Sequence, residues 1–183
     1  MTRWRLRSVR LVSGAAGIIL LSFVLLLATR DGGTGPQSKS PLIGELVPHV
    51  EGVSFAGKSF DIDDVTSRWV LINFFASWCV PCVREHPELM EWNRRRRVDG
   101  VVISVPFGDT EKDARAFFVE HGGDWPVLID PESAWAVAFG VLRPPESFLV
   151  APGGVVVAKW QGQITADEID RVVTDLQERN AVS

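Results

Sequence analysis

Two rhythms of apolar residues divide the chain. The first is a single run, "LVSGAAGIILLSFVLLLA", 18 residues from Leu11 to Ala28 with no polar face. A helix needs ~20 apolar residues to span a bilayer, whereas a signal-peptide core has about 7–15. The run therefore predicts an uncleaved transmembrane anchor. Residues 29–41, which include "RDGGTGPQSKSP", are rich in Gly, Ser and Pro and read as a flexible tether. From Leu42 on, strand-like and helix-like periods alternate. "WVLINFFA", Trp69 to Ala76, is nearly continuous, as a strand covered on both faces requires. Pro81 to Arg97 predicts a helix kinked at Pro87, and "VVISV" a second buried strand. "TEKDARAFFVEHG" opens on Thr110 as N-cap and stops at Gly122. "PVLID" is a short strand and "ESAWAVAFG" a short helix ending at Gly140. "SFLVAPGGVVVAKW" is a hairpin around Pro-Gly-Gly. The last segment is an amphipathic helix capped by Thr165, with Ile169, Val172, Val173 and Leu176 on one stripe. The order β-α-β-α-β-α-β-β-α predicts an α/β fold with a parallel portion and a terminal antiparallel hairpin.

Charge sharpens the division. Residues 1–30 hold five arginines and no acid, leaving 14 basic against 23 acidic residues in the remainder, a net of −9. The arginines place residues 1–10 in the cytoplasm and residues 11–28 in the membrane. The acidic body, 42–183, is then extracytoplasmic. A body so acidic is a poor match for a phosphate backbone, so no nucleic acid is expected as a partner.

The chemistry centres on "FFASWCVPCVREHPELM", which contains both cysteines of the chain, Cys79 and Cys82. A disulfide closing so short a loop removes little unfolded-state entropy, so it is a poor staple. A c-type haem anchor needs His after the second cysteine, and Val83 stands there. Structural zinc needs four ligands, and the histidines His49, His86 and His121 are scattered. Copper(I) needs only two or three ligands, so a set of Cys79, Cys82 and His86 stays open. A redox pair fits the context best. The cysteines follow a buried strand and open a helix, whose N-terminus favours a thiolate at Cys79. Pro81 suits the first turn. Cys79 is then the exposed, attacking sulfur and Cys82 the deeper, resolving one. No cofactor is implied.

The segment resembles the active site of thioredoxin-like proteins of the TlpA/ResA type, which include the cytochrome c maturation reductases. The similarity runs through most of 42–180. "VVISVPFGDTEKDARAFFVEHGGDWPVLID" is similar to the family's central insertion, and "FGVLRPPESFLVAPGGVVVAKWQGQIT" to its cis-proline segment. The resemblance implies a thioredoxin fold with a mixed central sheet flanked by helices. It also implies a thiol–disulfide oxidoreductase that cycles a Cys79–Cys82 disulfide. A transmembrane thiol carrier of the CcdA or DsbD sort would supply electrons. The clients implied are apocytochrome c or the copper-site cysteines of an oxidase assembly protein.

Residue by residue, Pro145 matches the cis-proline, although the Arg143–Pro144 bond is a second candidate. Pro144 departs from the family, whose residue at this place offers both N–H and C=O to an extended client; proline has no N–H. Glu85, three residues after Cys82, matches an acid that lies beneath the cysteines, where desolvation would raise its pKa and let it exchange a proton with Cys82. Trp78 reads as a shield that packs on the client, or as plain core. His86 reads as a helix histidine without chemistry. "RRRR", Arg94 to Arg97, reads as a solvated helix end.

Overall fold

The structure, a computed structural model of the chain, describes residues 40–181 together with Ser22. Among the described residues no helix is long and apolar enough to cross a membrane. Of the predicted anchor at 11–28 only Ser22 is described, and residues 1–10 and nearly all of the tether lie outside the described residues.

Within residues 40–181, seven strands and four α-helices follow in the order β1 (Glu51–Ser54), β2 (Ser59–Asp61), β3 (Trp69–Phe75), α1 (Val80–Arg95), β4 (Gly100–Pro106), α2 (Glu111–His121), β5 (Leu128–Ile129), α3 (Ala134–Phe139), β6 (Glu146–Val150), β7 (Val156–Gln161) and α4 (Ala166–Ala181). A short 3-10 turn, Ile62–Asp64, precedes β3. The main sheet has the order β4-β3-β6-β7. β3 and β4 pair in parallel, and β6 runs antiparallel to both β3 and β7. This is the mixed, helix-flanked sheet of the thioredoxin fold.

Alternate residues of β3 feed two cores. Val70, Ile72 and Phe74 pack with Trp135 and Phe139 of α3. Leu71 packs with Leu89 and Trp92 of α1 and with Ile169 and Val173 of α4. Burial on both faces explains the unbroken apolar reading of β3, each large side chain contributing about 1.5–3 kcal/mol. The predicted caps hold: Thr110 accepts the N–H of Asp113 at 3.1 Å, and Thr165 exchanges hydrogen bonds with Glu168. Pro87 sits inside α1, which continues to Arg95.

Three expectations change. A second, three-stranded sheet, β2-β1-β5, was not foreseen; strands of three and four residues are too short to show a period. The strand predicted over 126–130 belongs to it, with only Val127 bridging to Ser104 of β4. The arginine run is not simply solvated. Arg96, with its side chain 16% exposed, joins Asp170 of α4 at 2.8 Å, whereas Arg97 is 69% exposed and pairs with Asp124.

Because β6 runs antiparallel to β3, with Glu146 opposite Phe74, the start of β6 and the end of β3 meet at one end of the sheet. Both lead into the segments that the sequence singled out.

Candidate functional site

The turn after β3 is pinned from outside. Asp109 accepts hydrogen bonds from the backbone N–H of Ser77 at 2.6 Å and from its hydroxyl at 3.1 Å. The chain then enters α1 with Cys79 as N-cap, its sulfur 3.2 Å from the N–H of Cys82. The cap position aims the helix N–H groups at this sulfur, which is the placement that stabilises a thiolate. Cys79 and Cys82 are joined as a disulfide, with Cα atoms 5.2 Å apart.

The expected contrast between an exposed Cys79 and a deeper Cys82 is absent: they are 4% and 2% exposed. The bond holds both sulfurs in one cluster with Phe75, Ala76, Ala114, Phe117 and Val127. Trp78, by contrast, is 61% exposed, which excludes plain core packing. Its indole donates to the carbonyl of Gly108 at 3.1 Å and forms one wall of a cleft of about 640 Å³.

Glu85 lies where its spacing puts it, on the buried side of α1. Asn73 of β3 donates to Oε1 at 2.7 Å, and the N–H of Ile164 reaches Oε2 at 3.3 Å. Burial dominates these bonds, which favour the charged form, and pushes the carboxyl up to about 8. Asn73 is the one polar residue of "WVLINFFA", and register explains it. It stands between Ser104 on β4 and Ser147 on β6, a buried polar row across three strands. Asn73 also donates to Ser147 at 3.0 Å.

The Pro144–Pro145 bond is cis, which decides between the two candidate bonds, and Pro145 is buried. The segment after β7 laces the site together. The N–H of Gly162 is donated to Pro145 and the amide of Gln163 to the carbonyl of Pro81. Glu146, next to the cis bond, is buried with Lys159 at 2.7 Å.

His86 lies among Phe117, Phe118 and Trp125, with Nε2 3.0 Å from the carbonyl of Gly122. Burial lowers its pKa. Among the described residues, the one set of three metal-capable side chains within mutual reach is His49, Glu51 and Asp61, on the surface. The two cysteines are bonded to each other, and His86 is turned toward α2.

Asn73, Ser147, Asp109 and Lys159 were not singled out from the sequence. Only Asn73 left a signal there, as the polar break in an apolar strand.

What the arrangement can do is exchange a disulfide, with a buried proton store beside it. Comparison with known proteins points the same way. The redoxin family profile matches residues 42–181. A thiol:disulfide interchange protein DsbE homolog of Paracoccus denitrificans is 34% identical over 132 residues, covering 70% of this chain and 72% of its own. The thiol-disulfide oxidoreductase ResA of Bacillus subtilis is 29% identical over 154 residues, 84% of this chain and 86% of its own. In structure, a DsbE protein from Chlorobium tepidum superposes with a TM-score of 0.67 at 24% identity, covering 73% of this chain and 96% of its own. A DsbF homologue from Corynebacterium diphtheriae also reaches 0.67, at 20% identity, covering 79% and 95%. The chain belongs to the redoxin family, as a thiol–disulfide oxidoreductase.

Proposed function

We propose that the protein is a membrane-anchored, extracytoplasmic reductant of client disulfides, and that its client is apocytochrome c during cytochrome c maturation. The observation that carries a reducing role is Glu85, a buried carboxyl held near a pKa of about 8, three residues beyond Cys82. The client follows from the TlpA/ResA resemblance, and the anchor from the apolar run at 11–28 behind its arginines.

In the reduced protein the Cys79 thiolate attacks a client disulfide, one client sulfur leaves and takes a proton, and a mixed disulfide forms. Cys82 gives its proton to the Glu85 carboxylate and attacks Cys79. The mixed bond breaks, the second client sulfur leaves, and the Cys79–Cys82 disulfide remains. Two electrons have passed to the client. A membrane thiol carrier of the CcdA or DsbD sort restores the dithiol. Val80 and Pro81, between the cysteines, supply no polar or charged group to hold the thiolate as firmly as a strong oxidant does. Trp78 and the Pro144–Pro145 loop flank the client.

A trap tests this. Cys82→Ala, expressed in its own membrane and quenched with acid, should hold a client on Cys79 as a mixed disulfide identifiable by mass spectrometry. An apocytochrome with a CxxCH motif supports the reading. A copper-site assembly protein moves the client to oxidase assembly. An empty trap beside wild-type protein that retains copper(I) overturns it.

A further inference from the structure

The loop carrying the cis bond has a one-sided hydrogen-bonding character. From Val141 to Pro145 no backbone N–H is free. That of Val141 is donated to Ala136 at 2.9 Å. Those of Leu142 and Arg143 both turn inward, to Oε1 of Glu146, at 3.1 and 3.3 Å. Pro144 and Pro145 have none. The collecting carboxylate is itself clamped, with Oε2 2.7 Å from Nζ of Lys159, which in turn lies 4.8 Å over the ring of Phe148. Burying such a pair is costly and does not by itself stabilise a fold. Its local effect is to occupy the loop's N–H groups, which leaves its carbonyls as the unpaired backbone groups.

Those groups are acceptors. Among the described residues nothing donates to the carbonyls of Leu142, Arg143 or Pro144. Three exposed large side chains at this end of the sheet are apolar, Leu142 on the loop and Trp78 and Val80 on either side of Cys79, while Arg143, also exposed, is the loop's one charged side chain. A strand added to an ordinary edge exchanges N–H and C=O groups with its host. Here the backbone exchange runs one way, and a client carbonyl covered by the loop finds no main-chain donor, only the guanidinium of the exposed Arg143 beside it.

We propose that Pro144, with Glu146 as a positioning residue held by Lys159, makes the backbone of this loop an acceptor-only docking rim. It selects clients that carry an apolar side chain beside the disulfide cysteine. The client donates N–H groups to the loop and draws the rest of its binding from burial against Trp78, Val80 and Leu142. The inference rests on the proposed reading that a client docks across this loop.

The test uses the full chain in detergent and disulfide peptides that differ only in the residue flanking cysteine, Leu or Ser. Wild-type protein should show a KM at least about 10-fold lower for the Leu peptides. Pro144→Ala restores an N–H before Pro145. It should lower KM by about 2- to 10-fold for Leu and Ser peptides alike, the worth of one backbone hydrogen bond, with a smaller change in kcat and the ratio between the two peptides kept. Equal KM values in the wild type, or an unmoved KM for the Ser peptides in the variant, overturn the proposal.

Should Pro144→Ala fail to fold, wild-type protein answers the same question with peptides whose amides beside the cysteine are replaced singly by esters. Loss of the N–H at one position should raise KM by about 2- to 10-fold, and no rise at any position overturns the proposal. Failure of the underlying reading looks different: Cys82→Ala would then form no mixed disulfide with any peptide of the panel.

Discussion

Glu85 is a carboxyl that water does not reach, held by one side-chain amide and one backbone N–H. Its folded pKa of about 8 lies above the ordinary 4.5, so between those values the folded chain holds a proton that the unfolded chain has released. Stability then falls as pH rises through that window, on the order of a few kcal/mol in all. Glu85→Gln lacks this dependence. Urea unfolding should show the variant gaining on the wild type from pH 5 to pH 8; a constant gap would refute the buried-proton account. Asn73→Ala removes the bond that most favours the carboxylate. The Glu85 titration, followed by carboxyl NMR, should move to higher pH. Cys79 and Cys82 were legible because spacing along one helix is a property of the sequence itself, and Glu85 became so through the family resemblance. Asn73 and Ser147 were not, because they meet only through strand register, 74 positions apart.

Helix α1 carries the same lesson for an element. Its start was readable from Pro81. The end was misread, because the partner of Arg96 is Asp170, on a helix far down the chain. Arg96 is mostly covered and Arg97 mostly exposed. Thermal or urea unfolding should therefore separate neighbours that look alike in sequence. Arg96→Ala should cost about 1–3 kcal/mol, as a covered charged hydrogen bond does, and Arg97→Ala at most about 0.5 kcal/mol. Equal losses would mean that the contact between α1 and α4 does not depend on this pair.

At the scale of the described domain, Trp135 joins the two sheets, together with the Val127–Ser104 bridge. Trp135 of α3 donates its indole N–H to the carbonyl of Glu51 on β1 at 3.0 Å. It stacks on Phe139, which packs against Phe74 and Phe148 of the main sheet. Trp135→Ala should cost ~3–5 kcal/mol and lower the urea midpoint of a single transition. Separate loss of the small sheet would show that the joint is not cooperative. The main sheet was legible from its apolar runs and the hairpin turn. The small sheet was not, since β1 and β2 are only four and three residues long and the strand that completes it, β5, lies more than 70 positions from β1 in sequence.

The fold also leaves one lamp at the reaction centre. Among the described residues, Trp69, Trp92, Trp125, Trp135 and Trp160 are buried and only Trp78 faces water. Once Trp4, outside the described residues, is replaced by Phe, the long-wavelength edge of the emission belongs to Trp78. A soluble quencher such as acrylamide should dim that edge in the free protein and lose its hold when a client covers the indole. The enzyme thus reports its own occupancy without a label, from the side chain next to the sulfur that reacts.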